Sequence, residues 1–203
     1  MDNNSVPFEI VATGEVDLYL APVSTPFPTT PSETPPAPWA LIGKSGGQNY
    51  DPAGITIALA QSTTELRGLK DVETRKVIRT SASKKLSGNV FDITAETMAL
   101  ALNGNAIVET PGGADKGFQT IGLSLGSMVT TYALLMRSVS PYLADGASQW
   151  CFPIVVQSGS PSVVYSNNGA AGLALEFTAL VDTTQAAAKR SGWYEAEHED
   201  ASS

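Results

Sequence analysis

The 203-residue sequence contains one cysteine and one histidine. A single cysteine excludes an intramolecular disulfide framework and a cysteine-based zinc cluster. Cys151 lies between two aromatic residues in "QWCFP", a setting that favours a buried small hydrophobic side chain over a reactive thiol. His198 lies among acidic residues in a C-terminal tail that we predict to be disordered, where no nucleophile could be held against it. A histidine-based catalytic triad is therefore excluded.

Other catalytic patterns are also missing. Asp71 and Glu73 could form a carboxylate pair for glycoside cleavage, but Arg75 and Lys76 follow directly, and surface charge pairing explains the acids better. The stretch "GKSGGQNYD" has the wrong spacing for a phosphate loop. The acids around His198 offer a metal no fixed geometry. We predict no catalytic, cofactor-binding or metal-binding residues, and no enzymatic activity.

Aromatic residues, basic charge and long apolar runs are scarce as well. Aromatics make up 7% of the chain and are scattered, so they form no stacking platform for single-stranded nucleic acid. A formal net charge of −8 argues against binding nucleic acid through its phosphates, although nucleic acid could still slide past. No run approaches the ~18 apolar residues of a membrane span, and "MDNNSVPFE" does not resemble a secretory signal. These features predict a soluble protein made in the cytoplasm.

What the chain does have is short alternating strands. Hydrophobic residues make up 42% of the sequence, enough for a packed core. Val16, Leu18 and Leu20 alternate with polar residues, and the clearest strand lies in "AAGLALEFTALVD". One face of that last strand carries apolar side chains: Leu173, Leu175, Phe177, Ala179 and Val181. Short strands separated by turn residues predict an all-β sandwich or barrel.

One short helix is predicted in "FDITAETMALALNGN". Thr94 is a suitable N-cap, Ile93 could pack on Met98, and the helix should run to Leu102. Asn103-Gly104 can close its C-terminus in the left-handed conformation. We expect a loop to follow in "GNAIVETPGGADKG", with a turn at its Pro-Gly-Gly step.

Seven of the thirteen prolines lie in the segment from Pro22 to Pro38. Proline fixes φ and removes a backbone donor, so this arm can neither extend a sheet nor form a helix. It is interpreted either as an assembly arm that lies on a neighbouring subunit or as a plain flexible linker.

A basic segment follows in "TELRGLKDVETRKVIRTSASKKL", which holds seven of the twelve basic residues interleaved with acids. It is either the solvated face of a hairpin or a dedicated partner patch.

Four stretches, in order, resemble the tail tube (major tail) proteins of long-tailed, siphovirus-type bacteriophages: "GEVDLYLAPVSTPFP", "PWALIGKSGG", "SGNVFDITAETMALALNG" and "LALEFTALVD". The resemblance runs from about Gly14 to Asp182. It departs at Pro31 to Pro38, which is longer than the family pattern, and beyond Ala188. It implies one β domain over residues 1–188, with the arm at 22–38 and a short flanking helix. Residues 189–203 are predicted to be an acidic disordered tail.

The resemblance also implies a function. Six subunits would close a ring, and stacked rings would make a hollow conduit for the genome in the virion tail, assembled in the host cytoplasm. Partners would be other copies, tail tip and terminator proteins, and double-stranded DNA passing without specific binding, with no membrane. The alternatives are a head decoration protein, a tail terminator protein or a non-viral β-sandwich binding module.

Six copies at −8 would carry −48, so we expect a lumen of net negative potential that repels phosphate. Glu176 and Asp182, on the polar face of the last strand, are candidates to line it. The basic residues expected at subunit or ring contacts instead are Arg75, Lys76, Arg79, Lys84 and Lys85.

Overall fold

A computed structural model describes residues 16–43, 46–70, 72–113, 116–125, 128–143, 145–165 and 172–199. Within these ranges the chain is mostly β, with a single short α-helix, as the alternating sequence pattern predicts. The strands are β1 (Asp17–Pro22), β2 (Ala40–Leu41), β3 (Thr56–Leu66), β4 (Lys76–Val90), β5 (Ile107–Thr110), β6 (Phe118–Ile121), β7 (Thr131–Val139), β8 (Ala147–Gln157), β9 (Val163–Val164), β10 (Gly172–Ala179) and β11 (Trp193–Ala196). The helix is α1 (Ala95–Ala101).

Nine strands form one antiparallel sheet in the order β2-β1-β7-β8-β10-β4-β3, with β11 paired to β8 and β9 paired to β10. The remaining two, β5 and β6, form a separate hairpin. Every strand pair is antiparallel, so each strand can present one face to a core and the other to solvent.

Tyr50 links β1 and β4, the strands next to the two ends of the sheet. Its backbone forms a bridge to Val90 of β4, while its hydroxyl accepts a hydrogen bond from the Leu18 N–H of β1 at 3.2 Å. The same hydroxyl donates to the Ile42 carbonyl at 2.8 Å. Burial raises the pKa of this phenol, which keeps the hydroxyl protonated and able to donate. The segment around Tyr50 therefore closes the sheet around the larger of its two cores.

Strand β8 is the centre of the sheet, although it contains Pro153. Its first half pairs with β11 through Cys151, its second half pairs with β10 from Val155, and neither partner reaches Pro153. On the other side, the ladder with β7 is irregular between Tyr132 and Leu134. The proline thus lies where the ladders on both sides of β8 are interrupted, which is how a central strand tolerates a residue without an N–H.

The sheet has a core on each face. The larger core joins β1, β4, β7, β8 and β10 to α1. Its fully buried side chains include Leu134, Leu173 and Phe177. The smaller core lies on the other face around Trp39 and Cys151, and Phe27 and Trp193 pack against it. Burial of Leu173, Leu175 and Phe177 confirms the predicted apolar face of the last strand.

The predicted helix is confirmed in detail. Thr94 is the N-cap, and its side chain and that of Thr97 form a reciprocal capping box. Asn103 and Gly104 both adopt positive φ after the helix, at 62° and 81°. The left-handed closure expected from the Asn-Gly step is therefore present.

Three expectations are wrong. The tail beyond 188 was predicted to be disordered, but β11 lies within it and pairs with β8 from Trp193 to Ala196; the last four tail residues lie outside the described ranges. The loop after α1 contains the β5–β6 hairpin, because "IVET" and "FQTI" flank the turn residues. Strand β10, predicted from the sequence as the last strand, ends at Ala179, so Val181 is exposed and Asp182 lies in the following turn.

Candidate assembly surface

The β3–β4 hairpin is the most exposed part of the sheet. Strand β10 covers one edge of β4 only from Lys85 to Val90, so the rest of the hairpin is a two-stranded ribbon. In that ribbon every residue is exposed, over 58–66 in β3 and 76–83 in β4. Nine residues of strand span about 30 Å. The outer part of the hairpin therefore projects beyond the body of the folded chain, which does not cover it.

The end of the ribbon is ordered by local contacts. The Glu65 carboxylate accepts hydrogen bonds from the Arg67 guanidinium and from the Thr74 hydroxyl, both at 2.7 Å. These contacts lower the pKa of Glu65, with the Arg67 hydrogen bond as the larger cause. The Arg75 N–H also donates to the Leu66 carbonyl at 3.0 Å. The carboxylate therefore joins the two strands where the ladder ends.

A β-bulge twists the ribbon halfway along. Ser62 is opposite Ser81 while Thr63 is opposite Arg79, so Thr80 has no partner across the ladder. Its hydroxyl donates to the Ser62 carbonyl at 3.2 Å. Because a bulge increases local twist, the outer half of the ribbon points in a different direction from the body.

The side chains of the ribbon are sorted along its length. Near the body they are mainly small, with alanine, serine and threonine dominating both strands, whereas large apolar side chains concentrate toward the end. The exposed apolar residues of this hairpin are Leu59, Leu66, Leu69, Val72, Val77 and Ile78. Residues 56–90 hold seven basic and three acidic residues, a formal charge of +4, while the rest of the chain holds five and seventeen, a charge of −12. The hairpin is thus a basic, partly apolar projection from an acidic body.

The β5–β6 hairpin is a second exposed surface. Helix α1 contacts both of its strands, and Ile107 and Ile121 are its half-buried residues. Val108 and Phe118 are exposed. So are the large apolar residues of the chain after β6: Leu123, Leu125, Met128 and Val129.

The proline-rich segment lies on its own sheet. Trp39 Nε1 donates to the Pro26 carbonyl at 3.0 Å, Gln149 Nε2 lies 3.4 Å from the Pro28 carbonyl oxygen, and Arg137 Nη2 lies 3.5 Å from that of Thr30. Pro28 and Pro31 are buried. Phe27 packs against Trp39 and Trp193, with ring centroids 5.0 and 4.9 Å apart.

This arrangement differs from that of a plain flexible linker, one of the two expectations for the segment. Proline retains its carbonyl, and side-chain donors on β7, on β8 and just before β2 approach backbone carbonyls at alternate residues. An extended chain that cannot add to a ladder can therefore still be held across the face of a sheet.

Glu197, just after β11, fastens the proline-rich segment to the sheet. Its carboxylate accepts from the Ser32 N–H at 3.1 Å and from the Ala147 N–H at 2.9 Å. These hydrogen bonds, Ser32 first, lower the pKa of Glu197. The acidic tail thus supplies acceptors for backbone donors of two other segments, a role that its composition did not suggest.

The two residues expected to line a lumen differ in setting. Glu176 lies beside β4 and forms a salt bridge with Lys85 at 2.8 Å, and this contact is the first cause of its lowered pKa. Asp182 caps a turn by accepting from the N–H and hydroxyl of Thr184, which lowers its pKa. Lys85, which was expected at a subunit contact, lies on the same sheet face as Glu176. Lys84 donates to the hydroxyl of Ser191 at 2.6 Å.

The structure describes three of the four residues that were considered for chemistry: Cys151, His198 and Glu73. Cys151 is fully buried, and burial raises the pKa of its thiol. His198 is exposed and contacts only the Glu199 carbonyl among the hydrogen bonds of the described residues. Glu73 is exposed, and Asp71 lies outside the described ranges. Across those ranges no group of three or more histidine, cysteine or acidic side chains could hold a metal, and no helix is long and apolar enough to cross a membrane.

No protein-family model matches the chain, and no curated protein is significantly similar to it.

Proposed function

We propose that this protein is a structural subunit of a bacteriophage tail tube, which assembles with copies of itself into stacked, hexameric rings around a channel for DNA. The observation that carries the proposal is the β3–β4 hairpin, whose outer part is exposed on both faces. The motifs from Gly14 to Asp182 resemble those of the tail tube family and occur in the same order. They are the reason for proposing a tail tube rather than another homo-oligomer. The basic segment is accordingly interpreted as a partner patch.

A free two-stranded ribbon is a poor final state for a soluble monomer. Isolated hairpins are marginal in water, because two strands bury too little surface to offset the entropy of ordering them. Exposed ladder edges also invite pairing with other chains. Contact with other copies along this ribbon would bury the surface that the monomer leaves exposed. This exposed surface therefore supports a role in a homo-oligomer.

The proposed channel lets DNA pass without binding it. The body carries a formal −12 outside the hairpin, and a basic bore would hold the duplex through many phosphate contacts. If the face with Glu176 lines the bore, Lys85 lies there too, and their ion pair leaves this patch close to neutral. The net negative potential must then come from other acids, and Asp182 is the remaining candidate from the sequence.

Negative-stain electron microscopy of the purified protein tests the proposal. Long hollow cylinders of constant width are the expected result. Single closed rings that do not stack would favour a tail terminator, and monomers at all concentrations would favour a head decoration protein or a binding module. Either result would contradict a tube subunit.

A further inference from the structure

The two exposed hairpins carry similar apolar features and lie in regions of opposite formal charge. In the β3–β4 hairpin, Thr64 is opposite Ile78 and Leu66 is opposite Lys76, so Leu66 and Ile78 are diagonal neighbours on one face. They are 45% and 41% exposed. Diagonal neighbours in an antiparallel ladder lie roughly 7–8 Å apart, close enough for large side chains to form one patch.

The β5–β6 hairpin repeats this feature. Val108 is opposite Thr120 and Thr110 is opposite Phe118, so Val108 and Phe118 are diagonal neighbours on one face. They are 59% and 61% exposed. Since both patches remain exposed in the folded chain, they do not bury each other within one molecule.

The charges of the two regions are complementary. Residues 56–90 carry a formal +4, whereas residues 92–130 hold four acidic residues and one basic residue, a charge of −3. Two copies of the β3–β4 hairpin would repel each other, and so would two copies of the acidic region. Opposite charge therefore favours contact between unlike regions.

We propose that the β3–β4 hairpin of one copy docks, through Leu66 and Ile78, on the β5–β6 hairpin of a second copy, through Val108 and Phe118. After the first contact, one copy keeps an unused β5–β6 hairpin and the other keeps an unused β3–β4 hairpin. Such a head-to-tail interface adds subunits until a ring closes or a filament grows, whereas a symmetric contact would stop at a dimer. The inference rests on the proposed self-assembly and names the surfaces that perform it.

Two complementary variants test this pairing. One carries Leu66→Asp with Ile78→Asp, and the other carries Val108→Asp with Phe118→Asp. Each variant alone should be monomeric by sedimentation velocity, because loss of a central apolar contact weakens association by about 100-fold. A one-to-one mixture should form a heterodimer and nothing larger, since only one pair of intact surfaces remains. The matched control is Leu180→Asp with Val181→Asp, two exposed apolar residues outside both hairpins, and it should assemble like the wild type.

Several outcomes would overturn the pairing. Assembly of either variant alone would show that its hairpin is not the contact surface. Absence of a heterodimer in the mixture would show that the two hairpins bind something else. If the control variant lost assembly to the same extent, replacing any exposed apolar pair with aspartate would have this effect, and the result would not identify the two hairpins as the contact. Circular dichroism and melting curves establish that the variants are folded.

A cross-linking experiment does not depend on disruptive variants. Protein with Ile78→Cys is mixed with protein with Phe118→Cys and oxidised, and the buried Cys151 should not react. Disulfides should form between the two proteins, and equally fast homodimers of the Ile78→Cys protein would overturn the pairing. Hollow tubes of the wild type without heterodimers of the variants would refute this inference alone. Heterodimers without tubes would refute the tube function alone.

Discussion

Strand β8 and the outer part of the β3–β4 hairpin are both built by antiparallel pairing, but their surroundings differ. Strand β8 has partners on both sides along most of its length and a core against each face. The outer ribbon of the hairpin has one partner per strand and is exposed on both faces. Antiparallel pairing is thus common to both regions, and they differ in the number of paired neighbours and in the burial of their faces. Their side chains differ accordingly: the body buries large apolar side chains in its cores, whereas the ribbon carries small side chains near the body and exposed apolar or charged ones toward its end.

The largest effect on stability is expected in the body. Phe177 is 1% exposed in the larger core, so Phe177→Ala should lower the free energy of unfolding by about 3–5 kcal/mol. Thr178→Ala, one residue on, loses a hydroxyl contact to Ser158 at an exposed site and should cost less than about 1 kcal/mol. Urea unfolding of the two variants measures this, and equal midpoints would contradict the facing of β10.

The next largest effect concerns the tail. Removal of residues 195–203 deletes half of β11 together with the Glu197 carboxylate that holds Ser32 and Ala147. We expect a loss of about 2–4 kcal/mol in the free energy of unfolding, because packing and hydrogen bonds are lost together. Removal of residues 200–203 alone is the control and should change little. A shortened protein as stable as the full chain would show that β11 is dispensable.

The same contrast explains how far the sequence predicts this fold. A strand with one buried face, such as β10, carries the alternation that identifies it. Strand β11 does not, because "WYEA" lies in an acidic run, and its glutamates act as acceptors for distant donors such as Gln149 and Ser32. Closure by Tyr50 is equally invisible locally, since its contacts to β1 and β4 lie 32 and 40 residues away. Long-range polar contacts leave no periodic pattern.

For the candidate surface, the sequence indicated a basic hairpin with a solvated face but not that both of its faces are exposed. Mixed charge is compatible with a hairpin that lies flat on the body, and only the register shows that β10 stops at Lys85. The β5–β6 hairpin had a visible signal, the Pro-Gly-Gly step between two strand-like runs. Its exposed apolar face depends on how α1 packs, which no local pattern gives.

A smaller effect depends on pH. Hydrogen bonds from Ser32 and Ala147, with the charge of Arg137 nearby, lower the pKa of Glu197 in the folded protein. Its contribution to stability is therefore present above the unfolded pKa and is lost as the pH falls through the folded pKa. Glu197→Gln should lower the melting temperature at pH 7, and the gap to wild type should shrink toward pH 3. A gap that is constant with pH would show that the ionised carboxylate contributes nothing.

The smallest effect on stability is expected in the ribbon. Leu59 is exposed and lies outside the body, so Leu59→Ser should change the free energy of unfolding by no more than about 0.5 kcal/mol. Amide hydrogen exchange makes the comparison residue by residue, because protection reports the free energy of local opening. In the monomer, amides at 58–66 and 76–83 should exchange far faster than those of β8. In assembled protein their exchange should slow markedly, since contacts with other copies would bury the ladder, while the exchange of β8 should hardly change. Equal protection of the ribbon in monomer and assembly would mean that assembly leaves this hairpin uncovered, and the observation that carries the proposed function would lose its force.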